Sequence, residues 1–159
     1  MFVLGVDNFL ANCSFSKKPS EMIKLLLNGY RGRMGQAIHS VVEAESEAFV
    51  IVADCDQNQS ADPFLANYDV VVDFSVHSAT CPLLEIASRH KKPVVIGTTG
   101  HTPEEQKKIK AFSKTIPIVF AGNYSLGVNL LFYFSKIAAK ILNEDFEVEI
   151  SEIHHHHKT

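Results

Sequence analysis

Apolar runs of strand length alternate with segments of helical periodicity along most of the chain. The strand-like runs are rich in Val, Ile, Leu and Phe and cover residues 22–28, 49–53, 68–74, 93–97 and 116–121. Segments whose apolar residues recur at helical spacing follow these runs, at residues 34–45, 78–89, 102–115 and 125–142. Because alternating strands and helices are typical of βαβ units, the pattern predicts a doubly wound α/β fold with a parallel sheet and helices on both of its faces.

Three of the predicted helices have start signals of their own. Thr102-Pro-Glu-Glu105 is a capping box with proline at the first helical position. Ser78 is predicted to cap the preceding helix, with Pro82 in or near the first turn, where proline is tolerated best. Ser125 is predicted to open the long apolar helix that ends near Leu142.

The two ends of the chain depart from the repeating pattern. Residues 145–153 alternate strictly between polar and apolar, which predicts a half-buried strand in a separate, antiparallel sheet. Residues 1–21 precede the first clear strand, and we assign them no part in the fold.

Glycines at positions 29, 32 and 35 separate the first strand from the first helix. Glycine allows a sharp turn and a close approach of the backbone to a pyrophosphate, and the helix N-terminus favours an anion. The spacing G-x-x-G-x-x-G is one residue longer than G-x-G-x-x-G. The turn therefore favours a Rossmann-type dinucleotide site over the alternative, a glycine-rich turn that binds nothing.

Ligands bind outside the carboxyl ends of the strands in such sheets, so the polar residues there are site candidates. Asp54 and Asp56 follow the second strand, where an acid binds the adenosine ribose, and Asp56 is favoured. An acid at this place favours NAD, whereas Arg31 and Arg33 beside the glycines would accept the 2′-phosphate of NADP. The choice between NADH and NADPH therefore stays open.

Two further strand ends have residues suited to a nicotinamide. Gly97-Thr98-Thr99-Gly100 offers two hydroxyls to a carboxamide or a ribose, and Asn123-Tyr124 offers an amide and an aromatic edge. An ordinary turn explains Thr99 equally well, and plain packing at a hinge explains Tyr124 equally well.

A histidine cluster ends the chain in Glu152-Ile-His-His-His-His-Lys158-Thr159. It has three possible interpretations: the remnant of a purification tag, a metal site, or a catalytic or anion-binding cluster. A tag has no reason to follow an amphipathic strand directly, and consecutive histidines on a strand point to alternate sides, which disfavours a metal site. His154 and Lys158 share one face in either a strand or a helix, which permits acid-base chemistry.

Composition and charge exclude several classes of protein. The formal net charge of −3 leaves no broad basic field, which argues against nucleic acid as the main partner. Cys13, Cys55 and Cys81 form no C-x-x-C pair and are odd in number, so neither a disulfide framework nor a zinc ribbon is supported and a reducing cytoplasm fits best. No apolar run approaches the roughly 18 residues of a membrane span.

Five motifs together resemble the 4-hydroxy-tetrahydrodipicolinate reductase family, also called dihydrodipicolinate reductase. They are Gly29-x-x-Gly-Arg-Met-Gly35, Val72-Asp-Phe-Ser75, Ile96-Gly-Thr-Thr-Gly100, Asn123-Tyr-Ser-Leu-Gly-Val-Asn129 and Glu152-x-His-His-x-x-Lys158. The resemblance implies reduction of a cyclic imine dicarboxylate with NADH or NADPH in diaminopimelate and lysine biosynthesis. It also implies a Rossmann domain, an α+β substrate domain and a homotetramer.

The resemblance further implies roles for individual residues. The cofactor-binding positions match Gly29, Tyr30, Arg31, Gly32, Arg33, Met34, Asp56, Gly97, Thr98, Thr99, Ala121, Gly122, Asn123 and Tyr124. His154 matches a histidine assigned to acid-base work, Lys158 matches the proposed proton donor, and His155 matches a substrate contact. No metal is implied.

One departure from the family concerns the C-terminal end. After the lysine the family continues with D-x-P-S-G-T, which grips a substrate carboxylate, whereas this sequence stops at Thr159. We therefore expect an N-terminal appendage over 1–21, a dinucleotide-binding domain over 22–124 and the incomplete beginning of a substrate domain over 125–159. Such a chain would bind dinucleotide but reduce substrate poorly or not at all, and the alternative is a non-catalytic NAD(P)-binding module.

Overall fold

A computed structural model describes residues 2–3, 21–56, 67–142, 146–149 and 151. The chain divides into two compact units, Met1–Tyr124 and Ser125–Thr159.

A parallel sheet forms the centre of the first unit. Its strands β1 to β6 are, in chain order, Phe2–Val3, Ile23–Asn28, Phe49–Cys55, Val70–Asp73, Val94–Ile96 and Ile118–Phe120. Their order across the sheet is β1-β6-β5-β4-β2-β3, and every neighbouring pair is parallel. Strands β2 to β6 lie where the apolar runs predict them, and the predicted α/β fold is confirmed.

Helices cover both faces of this sheet. Helices α1 to α3 are Arg33–Ala44, His77–Arg89 and Pro103–Phe112. Adjacent residues of a strand point to opposite faces of the sheet. On one face, Leu26 belongs to a buried cluster with residues of α2 and α3, such as Leu84 and Ile109. Leu25 lines an apolar groove with Val42 of α1 on the other face.

The helix starts agree with the sequence signals in one case and differ in another. The capping box of α3 is confirmed, because Thr102 Oγ1 accepts from the Glu105 N–H at 3.2 Å and the Glu105 carboxylate accepts from the Thr102 N–H at 2.8 Å. The predicted cap of α2 is wrong. Val76 is the N-cap, with extended backbone, so Ser78 already lies within the first turn and Pro82 lies inside the helix, beyond that turn.

The N-terminal residues contribute to the sheet, which the sequence analysis does not predict. Phe2–Val3 pairs in parallel with Ile118–Val119 at the edge of the sheet. Two residues are too short a segment to show the periodicity on which strand prediction depends.

The second unit contains helix α4, Leu126–Leu142, which begins as predicted. Ser125 Oγ accepts a hydrogen bond from the Val128 N–H at 3.4 Å. The strand predicted over 145–153 is wrong at residues 146–149 and 151, which are not in a strand, and its other residues lie outside the described part of the chain. A strand requires a neighbour to pair its backbone groups, and the described residues of this unit include none.

Candidate dinucleotide-binding site

The sheet order creates a crevice at the carboxyl ends of β2 and β4. From β2 the chain moves to β3 on one side, and later to β4 on the other side. Ligands of open α/β sheets bind at such a switch point. The residues at this crevice are Gly29 after β2 and Phe74 with Ser75 after β4, and the Phe74 N–H donates to Asn28 O at 3.1 Å.

Two glycines of the turn are required by the packing of the protein itself. Gly29 has a φ of +86°, and a Cβ there would collide with the backbone of Phe74 and Ser75. A Cβ at Gly35 would collide with the backbone of Gly29 and Tyr30. Side chains at these positions are therefore excluded because helix α1 and the strand ends approach so closely.

Gly32 differs from its two neighbours. Its φ is −69°, and the nearest atom to a Cβ there would be Gly29 O at 3.3 Å. A Cβ would therefore need only a few tenths of an ångström of relaxation. The fold needs glycine at this position much less than at Gly29 or Gly35, and a glycine here leaves room for a ligand to approach the backbone closely.

The N-terminus of α1 is suited to an anion. Gly32 is its N-cap and makes no side-chain capping bond, and no acidic residue lies in the first turn. The first N–H groups of a helix have no intrahelical partner, and the helix dipole is positive at this end. Arg33 and Met34, both predicted cofactor contacts, are exposed in this turn.

The predicted adenosine-ribose residue Asp56 lies beside the glycine turn. Arg31 Nε is 3.8 Å from Asp56 Oδ2 and donates to the Tyr30 hydroxyl at 3.0 Å. The Arg31 guanidinium also lies 5.4 Å from the centre of the Tyr30 ring. The hydrogen bond with Tyr30, and then the nearby charge of Asp56, raise the pKa of Arg31. Asp54, the alternative acid, lies within β3 and is exposed.

The turn after β5 contains two threonines, of which one is buried and hydrogen-bonded and the other is exposed. Thr98 is buried, and its hydroxyl accepts from the Ser75 N–H at 2.9 Å and donates to Asp73 O at 3.3 Å. Thr99 is exposed. Gly97 is in contact with the Phe74 ring, which occupies the space that a Cβ would need. Thr99 is thus the member of the pair whose side chain is open to a ligand.

Tyr124 joins the ends of β5 and β6. Its hydroxyl donates to Ile96 O at 3.0 Å, and its ring centre lies 5.9 Å from that of Phe74. Burial raises the pKa of Tyr124 to about 12. Ala121 is half-buried in the same segment, and Gly122 and Asn123 are exposed there.

Four buried polar residues behind these turns are missing from the sequence predictions. Asn28, Asp73, Thr80 and His101 are between 0% and 8% exposed. The available signal was a polar residue at the end of an apolar strand, as in Leu-Leu-Leu-Asn28 and Val-Val-Val-Asp73.

The predicted catalytic and substrate-binding residues belong to the C-terminal end of the sequence. His154, His155 and Lys158 lie outside the described residues. Among the residues that are described, no group of three or more His, Cys, Asp or Glu side chains is arranged to hold a metal. In that same part of the chain no helix has the length and apolar character needed to cross a membrane.

Comparison with known proteins identifies the family. A family profile described as Dihydrodipicolinate reductase, N-terminus matches residues 23–124, and one described as Dihydrodipicolinate reductase, C-terminus matches residues 127–159. The chain belongs to the dihydrodipicolinate reductase family. The family resemblance drawn from the five motifs is thereby confirmed.

Individual members of the dihydrodipicolinate reductase family are similar over most of this chain. The 4-hydroxy-tetrahydrodipicolinate reductase of Akkermansia muciniphila is 47% identical over 137 residues, which are 86% of this chain and 55% of that protein. The enzyme of the same name from Pelagibacter ubique is 42% identical over 147 residues, 86% of this chain and 57% of that protein. The chain thus spans somewhat more than half the length of these relatives.

A solved member of the family has the same fold. The dipicolinate-bound dihydrodipicolinate reductase from Paenisporosarcina sp. TG-14 superimposes with a TM-score of 0.62 at 23% sequence identity. The match covers 75% of this chain and 54% of that one.

Proposed function

We propose that this protein reduces 4-hydroxy-tetrahydrodipicolinate to tetrahydrodipicolinate with NADH or NADPH, in diaminopimelate and lysine biosynthesis. The observation that carries the proposal is the glycine turn at the switch point of the sheet. Gly32 there is little constrained by the protein's own packing, yet it lies at the uncapped N-terminus of α1. Family membership supplies the reaction, because the curated relatives are 4-hydroxy-tetrahydrodipicolinate reductases.

The residues around the crevice fit a pyridine dinucleotide. Gly29 to Met34 would hold the pyrophosphate through backbone N–H groups, and Asp56 would accept hydrogen bonds from the adenosine ribose. Residues 97–99 and 121–124 would surround the nicotinamide. When bound, the reduced nicotinamide supplies a hydride.

The 4-hydroxyl of the proposed substrate leaves as water, which gives a conjugated imine with two carboxylates, and the hydride adds to that imine. Negative charge builds on the substrate as it is reduced, and a cationic Lys158 beside His154 would stabilise that charge and deliver a proton. A positioned acid of this kind contributes about 10²- to 10⁴-fold in rate. His155 would contact the substrate.

We propose that both nucleotides are accepted. The Asp56 carboxylate suits the ribose hydroxyls of NADH and repels the 2′-phosphate of NADPH. Arg31, 3.8 Å from Asp56, offsets part of that repulsion and can pair with a phosphate.

Three broader features belong to the same proposal. Residues 22–124 would be the dinucleotide domain, and residues 125–159 would begin the substrate domain. The enzyme would assemble as a homotetramer, which light scattering would test. It would act in a reducing cytoplasm, where the buried free thiols of Cys55 and Cys81 persist.

Replacement of Gly32 tests the central observation. Gly32→Ala should fold as the wild type does, because the new Cβ needs little room, but its methyl group should lower NADH affinity at least about tenfold by blocking the pyrophosphate. Gly127→Ala in α4 is the matched control and should leave binding unchanged. Fluorescence titration with NADH and NADPH measures both. If neither NADH nor NADPH binds to the wild-type protein at millimolar concentrations, the proposal is wrong.

A non-catalytic NAD(P)-binding module is the second candidate. One observation supports this second candidate: the described residues of the second unit form a helix and no strand, whereas a substrate site requires a fixed framework. Nucleotide binding followed by turnover on the same sample separates the two functions. Binding without turnover would favour the module.

A further inference from the structure

A buried carboxylate lies at the carboxyl end of β4, behind the crevice. Asp73 is 0% exposed. Its Oδ1 accepts from Asn28 Nδ2 at 2.9 Å and from the Ser75 hydroxyl at 2.5 Å, and its Oδ2 accepts from the Thr80 hydroxyl at 2.7 Å. Three donors from β2, the β4 turn and helix α2 thus converge on one side chain. Such bonds to a buried carboxylate are strong, and their loss is costly because the group has left water.

The chain of hydrogen bonds extends from Thr80 to His101. His101 Nε2 lies 3.0 Å from Thr80 Oγ1. The Thr80 hydroxyl has a single hydrogen, which it donates to Asp73, so it can only accept from His101. Nε2 must therefore carry the hydrogen. Burial lowers the pKa of His101, which favours the neutral ring with Nδ1 unprotonated.

The same carboxylate is linked to both turns that face the crevice. Asn28 is the residue directly before Gly29, and its side-chain NH₂ group donates to Asp73 Oδ1 at 2.9 Å and to Ser75 Oγ at 3.0 Å, two acceptors that lie 2.5 Å apart. The Ser75 N–H in turn donates to the Thr98 hydroxyl at 2.9 Å. Asp73 therefore connects the glycine turn to the turn after β5 through Asn28, 45 residues before it, and through Ser75, whose partner Thr98 lies 23 residues further along the chain.

We infer that Asp73, supported from behind by Thr80 and His101, is a positioning residue that sets the spacing between the two halves of the dinucleotide site. The inference rests on the proposed function, in which the glycine turn holds the pyrophosphate and the turn at residues 97–99 lies beside the nicotinamide. The Asp73 side chain touches neither half directly and acts through Asn28 and Ser75. The Asp73 backbone is a separate link, because its carbonyl oxygen accepts from the Gly97 N–H at 2.8 Å and the Thr98 N–H at 3.2 Å.

The hydrogen-bond directions give the inference a spectroscopic test. In wild type, ¹⁵N chemical shifts should report His101 as the Nε2–H tautomer. In Asp73→Asn the amide oxygen must face Asn28, whose hydrogens would otherwise meet the new NH₂ group. The NH₂ group then faces Thr80, which must turn its hydrogen to His101, and the ring should switch to Nδ1–H. A wild-type Nδ1–H tautomer, or an unchanged tautomer in Asp73→Asn, would overturn the inference.

A comparison of two nucleotides tests the effect on spacing. ADP-ribose occupies only the pyrophosphate half, whereas NADH must fit both halves. Thr80→Val removes the hydroxyl that supports Asp73 and should lower NADH affinity about tenfold, because the buried carboxylate then loses one of its three donors. Its ADP-ribose affinity should fall about twofold or less, and Thr80→Ser should restore NADH binding.

The possible outcomes are distinct. Equal losses for the two nucleotides, or no loss for either, would contradict the spacing role while leaving the proposed cofactor site intact. Failure of the wild-type protein to bind either nucleotide would instead reject the proposed function. If Thr80→Val does not fold, the comparison of NADH with ADP-ribose is made on Asp73→Asn, where the same unequal loss is expected.

Discussion

Helices α2 and α4 are both rich in apolar residues, but they bury them very differently. In α2, Leu84 is 0% exposed and Leu83 is 6% exposed within the core of the first unit. In α4, no residue is buried, and Leu131 and Phe134 are 61% and 60% exposed. Hydrophobic content alone therefore does not decide burial. A leucine is buried only where a second layer covers it.

This difference also separates the functions of the two units. The first unit closes its own core around a parallel sheet, and the strand ends of that sheet carry the candidate dinucleotide site. We therefore expect stability and nucleotide affinity to respond to changes in the first unit and to be nearly indifferent to matched changes in α4.

The largest expected effect comes from removing leucine side chains. Leu84→Ala should lower the free energy of unfolding by about 2–5 kcal/mol, because it leaves a cavity in a closed core. Leu131→Ala, the matched change in α4, should cost no more than about 0.5 kcal/mol. Urea denaturation of both variants measures the contrast. Comparable losses would show that α4 is as well packed as α2.

The next effect comes from the glycines. Gly35→Ala should destabilise the protein by about 1–3 kcal/mol, because its Cβ meets the backbone of Gly29 and Tyr30. Gly127→Ala in α4 has only Ser125 Oγ nearby, at 3.9 Å, and should stabilise the helix by up to about 1 kcal/mol. Thermal unfolding of the two variants should move in opposite directions. A stable Gly35→Ala protein would contradict the close approach of helix and strand.

Local signals account for the parts of this molecule that the sequence predicts well. The capping box at Thr102 and Glu105 uses groups three residues apart, and the strands and the glycine turn are equally local patterns. The hydrogen bond between Asp73 and Asn28 could not be predicted in this way. The two residues lie 45 positions apart, and neither local sequence indicates that the other is its partner. The strand expected over 145–153 is not formed at its described residues, 146–149 and 151, for a related reason: alternation predicts a strand only if a neighbour exists to pair with it.

The preference between NADH and NADPH should depend on Arg31 and Asp56, the ion pair beside the glycine turn. Arg31→Ala should lower NADPH affinity about tenfold and NADH affinity much less, because Asp56 would then repel the 2′-phosphate without the cation that lies 3.8 Å from it. Asp56→Asn should weaken NADH binding and favour NADPH. Paired titrations at fixed ionic strength measure the ratio of NADPH affinity to NADH affinity. Leu131→Ala is the control and should leave this ratio unchanged. Equal losses for both nucleotides in Arg31→Ala would exclude a role in selecting between them.

The smallest expected effect concerns the last residue of the first unit. The single hydrogen of the Tyr124 hydroxyl lies between two acceptors, Ile96 O at 3.0 Å and Val119 O at 3.3 Å, so Tyr124→Phe should cost about 1 kcal/mol. Tyr133→Phe in α4, where the tyrosine is 38% exposed, should cost less than about 0.5 kcal/mol.

The pH dependence of stability gives Tyr124 a second readout. Burial raises its pKa to about 12 in the folded protein, compared with about 10 for an unfolded tyrosine. The folded state therefore binds this proton more tightly, and the contribution of Tyr124 is fully present below pH 10 and is lost as the pH rises towards 12. Denaturation midpoints measured across this interval should fall less steeply for Tyr124→Phe than for wild type. Parallel curves would mean that the Tyr124 hydroxyl is not held against the ends of β5 and β6.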